Sequence, residues 1–205
     1  MEPLAVVDGT LMWRPLRRRL GVRAFGINAY SAANAGDEVV EQHTEGDLGH
    51  EEIYIVLSGT ATFTLGDETH DVPTGSLVYV ADPNVLRHAV AAAPGTTVLA
   101  VGGKPGEAFQ PSAWEHYFEA GAIAAQGDLE RAYDLTMTGL AEHPGHPGLL
   151  YNAACYRALG GRADEAIELL RQAYTADPDH VREWAASDSD LDSLRERPDW
   201  PVAAA

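Results

Sequence analysis

The chain of 205 residues is 45% apolar and 22% charged, the composition of a globular protein with material for one sizeable core or two small ones. Against 14 Lys and Arg stand 31 Asp and Glu, a net charge of −17 that argues against DNA, RNA or an anionic membrane as partner, because a phosphate-binding surface needs a basic footprint. The excess belongs to the body of the chain: residues 1 to 35 carry five Arg and two acids, residues 36 to 111 two bases and 12 acids, and residues 112 to 205 seven bases and 17 acids.

At the N-terminus Arg14, Arg17, Arg18 and Arg19 precede Leu20, but Arg23, Gly26 and Asn28 interrupt the apolar run that a secretion signal needs. No stretch approaches the roughly 20 apolar residues of a transmembrane helix, so the expectation is a soluble, cytoplasmic protein. Short apolar runs follow at Val22 to Tyr30, Ile53 to Leu57, Ala61 to Leu65, Leu77 to Val80, Val85 to Val90 and Thr97 to Val101, separated by turn residues such as Ser58-Gly59 and Pro73-Thr74-Gly75. Ala61, Phe63 and Leu65 alternate with Thr62 and Thr64, the pattern of a strand with one buried face. Many short strands without intervening helices predict an antiparallel sandwich or barrel over residues 1 to 103, N-terminal strands included. Gly and Pro then concentrate, and residues 104 to 111 read as a linker.

From residue 112 to 205 the periodicity is helical. Ser112 and Glu115 have the spacing of a capping box. Trp114, Tyr117, Phe118, Gly121 and Ala125 fall on one helical face; Leu129, Ala132, Tyr133, Thr136 and Leu140 do the same in the next segment. The region repeats at an offset of 34 residues, pairing Ala120 with Ala154, Gly127 with Gly161, Ala132 with Ala166, Leu135 with Leu169 and Pro144 with Pro178. This resembles the tetratricopeptide (TPR) helix-turn-helix repeat, in which small residues let paired helices approach and Pro ends the second helix. Thr136 and Gly139 depart from it, standing where the second copy has Leu170 and Ala173. Residues 181 to 200 begin a third unit with Trp184, which breaks at Asp188-Ser189-Asp190; Leu191, Leu194 and Trp200 resemble a capping helix. Within the second copy lies Cys155, the single cysteine, which excludes an intramolecular disulfide and a Cys-based zinc finger and reads as a buried inert thiol.

Residues 36 to 59 run from Gly36 through His43, Glu45, His50 and Glu52 to Gly59. They resemble the first cupin motif, G-x5-H-x-H-x3-4-E-x6-G, and Gly66, Pro73, Gly75 and His88 partly echo the second. The resemblance covers about residues 36 to 101 and implies a cupin (RmlC-like) β barrel, a double-stranded β-helix or jelly roll. It further implies a divalent metal (Fe, Mn, Ni or Zn), or none, held by a donor set drawn from His43, Glu45, His50, Glu52 and His88. Carried over position by position, His43 matches the first His, Glu45 stands where the second belongs, Glu52 matches the Glu and His88 is the candidate for the last His. The Glu45-to-Glu52 and Gly75-to-His88 spacings exceed the family's, and a second alignment uses His50. A carboxylate in place of an imidazole makes the site harder and more anionic. Without a metal, Tyr54, Phe63 and Tyr79 would line a small-molecule pocket. His70, His116, His143, His146 and His180 read as structural or surface groups.

No nucleophile elbow and no phosphate-cradling Gly-rich loop is present in the sequence, so the catalytic residues are unknown. The leading expectation is a cupin-type protein binding a small molecule or metal ion, with helical repeats that engage a protein partner or self-associate: a sensor or adaptor. The alternative is a metal-dependent cupin enzyme of the dioxygenase or isomerase kind.

Overall fold

Alternating apolar and polar residues in the first half of the chain form ten strands among the residues described by the computed structural model, 3–6 and 10–202. The first sheet has the order β1 (Leu4–Ala5), β2 (Met12–Arg14), β3 (Gly26–Ser31), β10 (Thr97–Gly103), β5 (Glu51–Ser58) and β8 (Leu77–Val80). The second has the order β4 (Glu38–His43), β9 (Arg87–Ala91), β6 (Thr60–Leu65) and β7 (Glu68–Pro73). All pairings are antiparallel. Val39, Val40, Tyr54, Val56, Phe63 and Val98 are prominent in the core of these strands, and their partners on neighbouring strands are largely Ala and Val.

The expectation of a closed barrel is corrected here: the two sheets share no ladder among the described residues. Closure needs an unbroken hydrogen-bonded path from one sheet to the other. At the edge of the second sheet β4 breaks register against β9 twice, and at the edge of the first β8 spans only four residues. Four strands, β1, β2, β4 and β7, also lie outside every apolar run. Five of the six residues of β7 are exposed, so hydrogen bonding to β6 rather than a buried stripe makes it a strand. A short helix, α1 (Leu16–Leu20), ends at Gly21 with φ +67°, so the apolar run beginning at Val22 enters its strand only at Gly26.

Residues 1–111 and 112–205 are separate compact units. The second contains α2 (Trp114–Ala124), α3 (Leu129–Glu142), α4 (Pro147–Leu159), α5 (Ala163–Ala176), α6 (Pro178–Ser187) and a 3₁₀ helix (Ser189–Leu194). The turns of the two copies match: Gly127 and Gly161 take φ of +88° and +72° at the same offset, a conformation that favours glycine. Asp128 and Asp177 cap α3 and α6 by accepting from the Arg131 and His180 amides.

Two helical expectations are corrected. Ala113, not Ser112, is the N-cap of α2 and makes no side-chain bond, so the capping box does not form. The fully buried residues of α2 include His116 and Ala120, whereas Trp114, Tyr117 and Phe118 are only half-buried. Ala120 shares a buried cluster with Ala132 and Tyr156, the two alanines being small residues that permit the close approach of helices. Leu191 and Leu194 are buried in the same cluster as Leu150, Ile167 and Leu170. No described helix is long and apolar enough to cross a membrane.

Candidate functional site

Strand parity selects the side chains that meet inside the sandwich. In β5, Tyr54 and Val56 are buried and Glu52 has their parity, while Ile53 and Leu57 are exposed. In β9, Arg87, Ala89 and Ala91 are buried, and His88 and Val90 take the opposite face. The two register shifts of β4 bring His43 opposite Arg87. His43, Glu45, Glu52 and Arg87 thereby converge at one end of the sheets.

Arg87 is wholly buried, and its Nη1 donates to Glu52 Oε2 at 2.7 Å. Its Nε and Nη2 donate to the carbonyls of Asp82, Pro83 and Val85. The same Glu52 oxygen accepts a short hydrogen bond from the Tyr54 hydroxyl. His43 Nε2 lies 3.7 Å from that oxygen and 3.5 Å from Glu45 Oε1, and its Nδ1–H donates to the Glu41 carbonyl at 2.8 Å. His50 Nδ1 stands 3.1 Å from Glu45 Oε2, near enough for an ion pair although that oxygen receives no aligned hydrogen bond. Gly102 pairs with Glu52 across β10 and β5; a Cβ there would come within 2.8 Å of Glu52 Cγ. The bare glycine makes room for the carboxylate.

These contacts set the charges. Burial opposes the charged form of His43, but the bonds to Glu45 and Glu52 outweigh it and hold the ring as an imidazolium with a pKa of about 10. Burial likewise opposes ionisation of Glu45, yet His43 and His50 bring its carboxyl down to about 2. Burial, reinforced by Glu52, pushes the Tyr54 hydroxyl well up, so it acts as a donor. Two carboxylates therefore face one imidazolium and one guanidinium.

Of the five candidate ligands, His43, Glu45 and Glu52 each offer a donor atom within 4.8 Å of the others. His50 borders this triple through Glu45. His88 does not join it: its Nε2 pairs with Glu38 Oε1 at 3.1 Å on the opposite face of β9. As a divalent site the triple fits poorly, since Arg87 and Tyr54 together already occupy Glu52 Oε2 and Arg87 brings a buried positive charge beside it.

Of the expected pocket residues, Tyr54 and Phe63 pack ring to ring at 5.5 Å in the core beneath the site. Tyr79 lies outside, 53% exposed, donating to Glu51 at 2.5 Å. It pairs with Ile53, which has the wrong parity to face inward. Arg87 is the residue that motif reasoning passed over. The signal was available in the β9 run, where Arg87, Ala89 and Ala91 share a parity that excludes His88.

No protein-family model and no curated protein matches the chain. Among solved structures, KdgF from Halomonas sp. is 14% identical with a TM-score of 0.41, over 54% of this chain and 89% of its own. A sugar phosphate isomerase from a cupin superfamily of Silicibacter pomeroyi is 16% identical with a TM-score of 0.42, over 50% of this chain and 69% of its own. A Cupin 2 conserved barrel domain protein from Salinispora arenicola is 19% identical with a TM-score of 0.40, over 50% of this chain and 82% of its own. The chain is thus similar, over about half its length, to proteins described as cupins.

Proposed function

We propose that the chain is a cupin-type small-molecule-binding protein whose site works without a metal, the buried Arg87 guanidinium supplying the positive charge that a cation would otherwise bring. The observation that carries this reading is the 2.7 Å bond from Arg87 to Glu52, made by a side chain with no solvent exposure. In β9 the inward position is occupied by Arg87, and His88 is turned away. Beside the site, Glu41 and Asp47 are exposed acidic residues. An acidic rim over an internally compensated centre favours a neutral or cationic polar ligand and disfavours phosphates and dicarboxylates. The ligand's hydroxyl or amino groups would exchange hydrogen bonds with Glu45, Glu52 and the His43 imidazolium.

The helical unit, with its 34-residue period, is the part suited to a protein partner or to self-association, in the manner of a short TPR array. On this reading the protein is a sensor or adaptor and not a catalyst.

Thermal-shift and calorimetric titration of the full-length protein test the site with four probes: a neutral hexose, an amino sugar, a hexose phosphate and a dicarboxylate. Stabilisation by one of the first two, lost in Glu52→Gln, is expected. Preference for the phosphate or dicarboxylate would overturn the ligand class. Near-stoichiometric Fe, Mn, Ni or Zn lost on substituting His43 and Glu45 would overturn the metal-free reading in favour of a metal-dependent enzyme.

A further inference from the structure

Three histidines that the sequence presents as structural or surface groups are brought to one corner of the helical unit. His116 lies in α2, Glu142 is the last residue of α3, and His143 is the C-cap of α3. His116 Nε2 and Glu142 Oε2 are 3.1 Å apart, and the His116 and His143 rings are 6.1 Å apart between centres. One donor atom from each of His116, Glu142 and His143 lies within 4.8 Å of the other two. Through the turn at Pro144-Gly145, His146 places another ring 6.3 Å from His143.

Two further observations separate this cluster from ordinary packing. His143 Nε2 is buried and has no hydrogen-bond partner among the described residues, a state that buried polar atoms rarely keep. Gly139, opposite on α3, is what seats the His116 ring, since a Cβ there would lie 2.8 Å from His116 Cγ. The internal repeat supplies a control. At the 34-residue offset His116, Gly139, Glu142 and His143 correspond to Leu150, Ala173, Ala176 and Asp177. Leu150 and Ala173 are members of the apolar core there. Where the second copy has an apolar contact the first has donors, with a glycine in place of alanine to accommodate one of them, which helix packing alone does not require.

We propose that His116, Glu142 and His143 bind one first-row divalent transition-metal ion of the zinc type, tying α2 to the end of α3. Two imidazoles and a carboxylate form a zinc-type donor set with a remaining position for water. Magnesium and calcium, which take six or more oxygen ligands, are not served by it. At metal–ligand distances of about 2.0–2.1 Å a tetrahedral ion holds its donors roughly 3.3 Å apart. The His116–Glu142 pair already has that spacing at 3.1 Å, and the Glu142 side chain, 51% exposed, is free to adjust. The ion would give the buried His143 nitrogen its missing partner.

The test uses full-length protein carrying His43→Gln and Glu45→Gln, so that the sandwich donors do not compete. Titrated with Zn²⁺ by calorimetry and with Co²⁺ by absorbance, it is expected to take one equivalent, to show tetrahedral cobalt bands without thiolate charge transfer, and to melt at a higher temperature with zinc. Adding His143→Gln or Glu142→Gln, with circular dichroism unchanged, is expected to weaken binding by more than the roughly 10- to 100-fold that loss of a residue merely supporting a ligand costs. No binding in the background protein, or unchanged affinity in either added variant, overturns the proposal. So does a thiolate band, which would place the ion at Cys155, Asp188 and Asp190.

Discussion

Arg87 and Glu52 form an ion pair between the two sheets, Nη1 to Oε2 at 2.7 Å, in which the guanidinium has no contact with solvent. Removing one member of such a pair leaves an uncompensated buried charge, whereas removing both leaves none. Arg87→Met or Glu52→Gln alone should therefore cost about 3–5 kcal/mol, and the double variant clearly less than the sum. Urea denaturation of the four proteins measures the coupling; strictly additive losses would contradict it.

The same site predicts a stability that depends on pH. His43 is raised from its ordinary 6.5 to about 10, so its contribution is complete below about 6.5 and disappears as pH rises through 10. Glu45 is lowered from 4.5 to about 2, so its contribution is present above about 4.5 and is lost as pH falls toward 2. Melting temperature should thus be highest between roughly pH 4.5 and 6.5 as far as this pair is concerned. In His43→Gln the decline on the alkaline side should flatten, which a series of thermal melts from pH 4 to 10 would reveal.

Gly59, at the end of the cupin-like motif, is constrained twice over. Its φ is +74°, and a Cβ would lie 2.4 Å from Thr96 Oγ1 and 2.8 Å from Thr96 Cα. Gly66 has φ +58° but open space around it. Gly66→Ala should cost the backbone strain alone, about 1–2 kcal/mol, and Gly59→Ala roughly 1–3 kcal/mol more from overpacking. Equal losses in chemical denaturation would show that Thr96 yields without cost.

In the helical unit Arg157 lies 3.4 Å over the Tyr133 ring centre while pairing with Glu130 at 2.9 Å and Glu165 at 3.0 Å. Both carboxylates are at least half exposed, so the stacking, worth about 0.5–2 kcal/mol, outweighs the ion pairs. Arg157→Lys keeps the charge and loses the planar stack. It should lower stability nearly as far as Arg157→Met, with little dependence on salt; full rescue by Lys would assign the stabilisation to the carboxylates.

Much of the architecture follows from local rules. The alternation of Ala61, Phe63 and Leu65 with threonines becomes β6 with Ala61 and Phe63 buried, and the offset of 34 residues becomes two helix pairs with matching glycine turns. Periodicity is a property of neighbours along the chain, so these elements are written in it. The polar strands β4 and β7 are not, because cross-strand hydrogen bonds to β9 and β6 define them and a sequence pattern does not record partners.

The residue types needed for the site were legible as well: His43, Glu45, His50 and Glu52 stand together in the chain and meet in space. The choice between Arg87 and His88 was not settled by motif spacing. It turned on which face of β9 points inward, and on register shifts in β4 that no periodicity announces. Likewise His116 and His143 are 27 positions apart, and only the antiparallel return of α3 along α2 joins them. Sequence alone determined the periodic elements and the stock of donors, because both depend on local chemistry. Tertiary structure decided which donors share a face and which charge each bears, because burial and opposing charge arise between segments far apart in the chain.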